Sequence, residues 1–539
     1  MRKRSDIWKI TLSLLPLTFL MYFPLIAAEP IPAGSPEFYF QFKIQEHTEL
    51  SKLTRIISID HVRDSIVTAY ANSKEFAAFE ELGYLYKILP HPGSLYQPRM
   101  SKSLREAGTL NTYPTYENYI AIMNQFAADY PQICLVERIG YSVQGRELLA
   151  VKISDNVATN EAEPDLFYSS TMHGNEVVGW ILMLRLIDTL LTIYGSDTRL
   201  TNLVNNTEIW INPLANPDGT FYLGNSSVYG ARRYNSNGID LNRNFPDPAE
   251  GDHPDGNAWQ PETTTMMEFA QRHHFVLSAN FHTGSELVNY PWDTWARRHP
   301  DNDWFEDISR AYAETAQANS PSGYFTDLGG YTNGFAWYRI CGGRQDWMTY
   351  FTGCREVTIE LSDTDLPAES ALNNYWQYNR EALIAYLENA LYGIHGIVTD
   401  RIGHPLPAQI TLTGHDTEAD NSVITNDPET GDFCRLCAPG NYTVTVTVDS
   451  LGSKNFDNVT VIEGQPTVLQ VQFGDFARGD VNADGQIDVR DVVLILNYNQ
   501  RKATPDSIQC QAADWNADGS IDAQDVSSLM QYLVTQSSK

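Results

Sequence analysis

The spacing of apolar positions changes character several times along the chain. From 37 to 89, short alternating runs flank two amphipathic stretches. They predict strands at 38–44, 56–62, 65–71 and 84–89 and helices at 48–55 and 74–82. That order is βαββαβ, over a unit of 35–90. Residues 91–110, rich in Pro, Ser and basic side chains, read as a linker. Over 111–393, continuous apolar runs alternate with helical spacing. Helices are predicted at 119–130 and 374–391, and buried strands at 149–153, 166–170, 209–212 and 276–280. Such alternation predicts an α/β domain around a central sheet. Over 394–474, short β-rich runs between turn clusters such as Pro439-Gly440-Asn441 predict a small β-sandwich. Over 477–536 a repeat appears, each copy leading into an apolar helix (492–496 and 526–533).

Composition narrows the classes. The chain has 539 residues, enough for several domains, and a formal charge of -30 from 37 basic and 67 acidic residues. That charge argues against a nucleic-acid partner. Six cysteines are too few for a disulfide scaffold. Cys341 and Cys354 flank one short segment and could pair, whereas Cys434 and Cys437 are too close to bridge along an extended strand. At the N-terminus, Arg2, Lys3, Arg4 and Lys9 precede an apolar run over 10–26 and then Ala27-Ala28-Glu29. These mark a signal peptide, 1–28, cleaved near Ala28. No later run is long and apolar enough to span a membrane. The expected product is secreted, with no membrane partner after cleavage. Arg99, Lys102 and Arg105 in the linker lie open to a trypsin-like protease; a processing site and an ordinary linker are equal readings.

The chemistry begins at Ser169-Ser170-Thr171-Met172-His173-Gly174-Asn175-Glu176, where a buried strand hands over to a helix. His173 and Glu176 on such a turn can share one small cation. A catalytic zinc takes imidazole and carboxylate, needs a third protein ligand and keeps one open position. His282 follows the apolar run 275–281, at the strand end where open sheets place their sites. His273 and His274, before that strand, are expected at the surface. Asp240-Leu241-Asn242-Arg243-Asn244 sets charged side chains among apolar ones, and an Arg beside an Asn suits capture of a carboxylate. In the strand from Glu356 to Glu360, the residues Glu356, Thr358 and Glu360 share one face, and a carboxylate there is a general-base candidate. Each of these taken alone reads equally well as a turn or a structural ion pair. The C-terminal repeat sets Asp480, Asn482, Asp484, Asp488 and Asp491 against Asp514, Asn516, Asp518, Asp522 and Asp525, with Gly485 and Gly519 at the turn. Oxygen ligands at that spacing make two calcium loops.

As an ordered set, His173-x-x-Glu176, Asn216-Pro217-Asp218-Gly219, Asp240 to Phe245, His282, Gly342-Gly343-x-x-Asp346-Trp347 and Glu360 resemble the zinc metallocarboxypeptidases of the M14 type. The β-sandwich resembles the transthyretin-like domain of the carboxypeptidase N/E subfamily, the βαββαβ unit the ferredoxin-like prodomain of the other branch, and the terminal repeat a dockerin. The implied architecture is multidomain α/β: ferredoxin-like unit, carboxypeptidase-type catalytic domain with a central mixed sheet, β-sandwich, and small all-α calcium-binding module. The resemblance implies one zinc on His173, Glu176 and His282, with Asp240 orienting His173. It makes Arg233, rather than Arg232, the group that stabilises the oxyanion. Asn242 and Arg243 would grip the substrate carboxylate, Tyr338 would close over substrate, and Glu360 would be the catalytic base. The implied substrate is a peptide or protein with a free C-terminus; a cohesin-like domain is the implied partner of the repeat, attaching the enzyme to an extracellular complex.

Gln345 is expected on one wall of the pocket for the leaving residue. Asp293 lies eleven residues after His282, the spacing at which basic-specific members of the resembled N/E subfamily place an acidic pocket residue, so the resemblance implies release of C-terminal Lys or Arg. Pairing of Asp293 with Arg297, Arg298 or Arg344 is the competing reading. Two other functions compete: a zinc amidohydrolase acting on peptidoglycan stems or acyl amino acids, and a catalytically silent binding protein on the same scaffold.

Overall fold

The computed structural model describes residues 37–537 except 401–402, 450, 474–476, 483–485 and 506. The expected signal peptide, residues 1–28, therefore lies outside the described residues. The first unit is a four-stranded antiparallel sheet, β1 (Glu37–Lys43), β2 (Ser58–Arg63), β3 (Ile66–Asn72) and β4 (Tyr86–Ile88), in the order β2-β3-β1-β4. A helix at Ser73–Glu80 packs Phe76 and Phe79 onto Phe38, Phe40 and Phe42. Asn72 caps it, accepting from the Lys74 and Glu75 amides. The first predicted helix shrinks to a short turn at His47–Glu49 and one turn at Leu50–Leu53. The β2–β3 pairing slips between Ile59 and His61, so Asp60 is the extra residue of a bulge. Bulges re-aim side chains, and this one matters below.

The segment after this unit lies along the large α/β domain. A short turn at Pro92–Ser94 brings Gly93 against Ala231, where a Cβ would sit 2.1 Å from the Ala231 carbonyl oxygen. Arg99, Lys102 and Arg105 are nevertheless exposed.

The core of the large α/β domain is an eight-stranded mixed sheet of β5 (Cys134–Tyr141), β6 (Glu147–Ile153), β7 (Asp165–Ser170), β8 (Glu208–Asn212), β9 (Phe275–His282), β10 (Glu286–Tyr290), β11 (Tyr331–Asn333) and β12 (Arg355–Leu361). Its order is β11-β10-β12-β9-β7-β8-β6-β5. The central strands β12, β9, β7 and β8 run parallel, as expected of apolar runs covered on both faces. On one face lie helices Val178–Ile193, Leu372–Glu388 and Asn302–Ala318, with Trp180, Leu184, Ile187, Leu383 and Phe305 fully buried. On the other lie helix Pro261–Arg272 and the long loops of the site. His273, expected at the surface, is instead half-buried. Its ring packs against Trp210 at 4.6 Å and Phe269 at 4.7 Å, because the helix ends over the sheet.

The C-terminal β region forms two sheets around one core. One is β16-β13-β19, with β13 (Gly393–Thr399), β16 (Asp432–Arg435) and β19 (Pro466–Gln472). The other is β15-β14-β17-β18, with β14 (Gln409–Leu412), β15 (Ile424–Thr425), β17 (Gly440–Val448) and β18 (Gly452–Val461). Strands β15 and β16 have no counterpart in the sequence pattern, being too short to show alternation. Among the described residues, the terminal module holds three helices, Val489–Asn499, Ser507–Ala513 and Ala523–Ser537. Cys341 and Cys354 are not paired, and all six cysteines are free.

Candidate active site

The site sits at the carboxyl ends of β7, β9 and β12. Past Ser170 the chain turns through Thr171 at φ 60° into the helix at Val178–Ile193. Gly174 has to be glycine: a Cβ there would meet the Gly219 carbonyl carbon at 2.4 Å. This close approach seats His173 and Glu176 beside His282, the last residue of β9. Parallel pairing of β12 with β9 sets Glu360 in register with His282.

Glu176 Oε1 is 2.7 Å from His173 Nδ1, its Oε2 is 2.9 Å from His282 Nδ1, and the two Nδ1 atoms are 3.1 Å apart. All three side chains are buried. His173 Nε2 faces Asp240 Oδ1 at 3.0 Å. A carboxylate can only accept here, so Nε2 carries the proton and Nδ1 of the neutral ring keeps a lone pair. His282 Nε2 faces the Asn280 carboxamide at 2.6 Å, and the Asn280 oxygen has no other partner. Turned to accept from Nε2–H, it leaves the second Nδ1 free as well. Two imidazole lone pairs and one carboxylate then converge, a donor set that fits zinc with room for a further ligand.

The titrations follow from this crowding. Burial acts to lower the His173 pKa, but Glu176 and Asp240 outweigh it and leave the pKa raised. Burial wins at His282, pushing it down to about 4. Burial pushes Glu360 well above the usual carboxylate range, and the Glu176 charge adds to this. Glu360 lines the cavity together with the three metal-ligand candidates, and its Oε2 is buried without a protein partner, which suits a general base.

Arg233 donates from Nε to Asp240 Oδ2 at 3.0 Å and from Nη1 to Glu176 Oε1 at 3.2 Å. Arg232 instead lies over the Tyr222 ring, 5.2 Å from its centre. Asn242, Arg243, Asp293 and Tyr338 line the same cavity as the three metal-ligand candidates and Glu360. The Arg243 Nε is buried and unpartnered, free to meet an incoming carboxylate. Asp293 is free of the arginines expected to compete for it. Arg344 is buried against Glu356 at 2.7 Å, and Arg297 pairs with Asp420 at 2.7 Å. Burial pushes Asp293 up to about 7, held back by the Asn289 hydrogen bond and the Arg243 charge. Gln345 stands behind Asp293, donating from Nε2 at 3.3 Å, and is not on the cavity wall as expected.

Several contributors carry no signal in the sequence. Asp365 ties three segments together, accepting from Asn175 Nδ2 at 2.6 Å, Thr283 Oγ1 at 2.7 Å and Tyr70 OH at 2.8 Å. Asn280 orients His282, and Asn289 lines the cavity. The N-terminal unit reaches into the site. Ser58 Oγ donates to Asp240 Oδ2 at 2.5 Å, Glu37 accepts from the Arg233 and Tyr234 amides, and Ile59 and Asp60 stand on the cavity wall. Tyr338 and Ile340 are buried in that unit's own aromatic core.

In the terminal module, Asp491 accepts from the Asn482 and Asp488 amides, and Asp525 from the Asn516 and Asp522 amides. Asp514 accepts from the Asp518 and Gly519 amides. Each loop is thus wound around its last acid, and the second around its first as well. Asp480, Asp518 and Asp522 bring further carboxylate oxygens to the loops; Asp484 lies outside the described residues.

Residues 119–382 match the family model for zinc carboxypeptidases, 393–474 the carboxypeptidase regulatory-like domain, and 478–534 the dockerin type I domain. The chain is 37% identical over 436 residues to carboxypeptidase D of Homo sapiens, covering 76% of this chain and 30% of that protein. It spans between 25% and 30% of the length of the carboxypeptidase D sequences it matches. It is 34% identical to the carboxypeptidase N catalytic chain of Rattus norvegicus, over 66% of this chain and 85% of that one. Carboxypeptidase A of Helicoverpa armigera shares the fold, at 17% identity and a TM-score of 0.51, covering 66% of this chain and 97% of that one.

Proposed function

This chain belongs to the zinc carboxypeptidase family, and we propose that it removes C-terminal Lys or Arg from peptides outside the cell. The observation that carries the basic preference is the buried Asp293, on one cavity wall with Arg243 and Glu360 and left unpaired by the neighbouring arginines. Zinc held by His173, Glu176 and His282 would polarise the scissile carbonyl and acidify water. The chain's own groups do the rest. Arg243 and Asn242 hold the terminal carboxylate. Glu360 takes a proton from the attacking water and returns one to the leaving amine. Arg233 meets the charge that develops on the carbonyl oxygen. Asp293 receives the cationic side chain; an apolar one would leave a buried carboxylate unpaired, a penalty on the order of 10²-fold.

The N-terminal unit, packed against Asp240, Arg233 and Tyr338, supports a second element of the reading. The intact chain is latent, and a cut among Arg99, Lys102 and Arg105 frees the site. The module at 477–536 binds two calcium ions and docks on a cohesin-like domain, which places the enzyme on an extracellular complex.

The test is a panel of peptides differing only in the last residue. They are incubated with zinc-loaded protein, intact and after limited trypsin cleavage, and read by mass spectrometry. Lys- and Arg-ended peptides should shorten first. Asp293→Ala should lower their turnover far more than that of Leu-ended ones. Equal losses, or a preference for Glu-ended peptides, would overturn the assignment.

A further inference from the structure

The loop between β6 and β7, residues 154–164, gathers acids away from the candidate active site. One carboxylate oxygen from each of Asp155, Glu161 and Glu163 lies within 4.8 Å of the others. Glu163 Oε2 is buried and has no hydrogen-bond partner. Parallel pairing sets Asp165, the first residue of β7, opposite Glu208, the first of β8. Glu208 Oε1 accepts from the Glu161 amide at 3.1 Å, which places both strand-end acids under the loop. Asp165 is 6% exposed, and its Oδ1 is also buried without a partner. Lys152 is spent on Glu208, at 2.8 Å, and on the Thr159 carbonyl, at 2.9 Å. His273, 3.6 Å from Asp165 Oδ2, is pushed down to about 4 by burial and carries no charge at neutral pH. Among the described residues, Asp155, Glu161 and Glu163 form no ion pair.

Like charges this close repel, and a buried carboxylate oxygen without a donor is costly. Burial, with the charges of Asp155 and Glu161 adding to it, pushes Glu163 up to about 8, and burial pushes Asp165 and Glu208 up to about 7. A bound cation relieves both costs at once. The three converging groups are all carboxylates, with no imidazole or thiolate among them, and oxygen-only sets select hard cations. Each carboxylate can bind through one or two oxygens, and Asp155 is exposed, which leaves room for water. That irregular set suits calcium better than magnesium, which demands a near-ideal octahedron. The same loop reaches the β-sandwich: Asn160 Nδ2 donates to Asp427 Oδ2 at 3.1 Å and to Glu429 Oε2 at 3.2 Å.

We propose that Asp155, Glu161 and Glu163 bind one calcium ion, with the buried carboxylate of Asp165 behind them, and that the ion pins this loop at the seam between the α/β domain and the β-sandwich. The test uses the zinc-saturated full chain carrying Asp491→Asn and Asp525→Asn, which disable both loops of the terminal module. Equilibrium dialysis should still find one calcium ion per chain, and calcium should raise the midpoint of thermal unfolding. Adding Glu161→Gln and Glu163→Gln should remove that ion and abolish the shift. The calcium-free midpoint should hold or rise, because the repulsion is gone. Asp155→Asn, at an exposed position, leaves the buried oxygens in place and should weaken binding about 10-fold. With the terminal module unaltered, the two Gln substitutions should lower the calcium count of the full chain by one. A chain that binds no calcium once the terminal loops are disabled overturns the site. So does a calcium count and affinity that the Gln substitutions leave unchanged.

Discussion

Asp293 is a buried acid and Glu360 a half-buried one, and their surroundings differ. Glu360 is raised by burial and by Glu176 and has an unpartnered oxygen, as a base should. Glu360→Gln keeps the volume and removes the base. Turnover should fall by about 10²–10⁴ while zinc content, read by atomic absorption, stays at wild type; near-normal kcat would exclude Glu360 as the base. Asp293 is pushed up to about 7, with Arg243, Asp247 and Asp346 the charged groups around it. Only its ionised form attracts a cation, so the ratio of kcat/KM for Arg-ended over Leu-ended peptides should climb as pH rises through about 7. Asp293→Asn should flatten that climb, and a ratio constant with pH in the wild type would contradict the assignment. Asp365, by joining the Asn175 turn to Thr283, holds two metal-ligand segments in place. Asp365→Ala should weaken zinc affinity about 10- to 100-fold by competition with a chelator.

At the scale of elements, strand β12 works at both ends. Glu360 faces the cavity from one end, and at the other Arg355 donates to Asp301 Oδ2 at 2.7 Å. Asp301 also accepts from Arg435 of the β-sandwich, at 2.9 and 3.0 Å, and faces His415 Nε2 at 2.8 Å. This buried knot bolts the sandwich to the strand that carries Glu360. Its carboxylate is held well below the usual range by Arg435 and Arg355 despite burial. Asp301→Ala leaves the buried Arg355 guanidinium without a carboxylate and Arg435 with Asp416 as its remaining one, and should cost about 3–5 kcal/mol in urea denaturation. A change under about 1 kcal/mol would mean that water reaches the knot. The β-sandwich is therefore expected to be needed for a stable catalytic domain.

Across the whole molecule, the control proposed above would lie at the two ends. The N-terminal unit buries Tyr338 and meets Asp240 through Ser58, so separating it from the site should raise hydrolysis of a short basic-ended peptide, followed before and after limited trypsin treatment. An intact chain already as fast as the cleaved one would remove the latency. At the other end, the acids of two loops repel one another until a cation is bound. Circular dichroism of a 477–539 fragment should lose helix on chelation and recover it with calcium. The grouping of the metal-ligand candidates is legible in the sequence alone, because ordered short motifs carry it. His173 and Glu176 lie on one turn, the period of the strand puts Glu360 on the face of Glu356, and His282 ends an apolar run. The alternation of strands and helices, the sandwich and the repeat are legible for the same reason: local patterning dictates local structure. Contacts distant in sequence are not. That Arg344 is spent on Glu356, that Gln345 backs Asp293 while Asn289 faces the cavity, that Asp365 joins three segments, and that the bulge at Asp60 turns the N-terminal unit into the site all depend on sheet order and on which surfaces meet. Residue types and spacings select a chemistry; pairings between strands far apart along the chain decide which neighbour each charge meets, and only packing sets those.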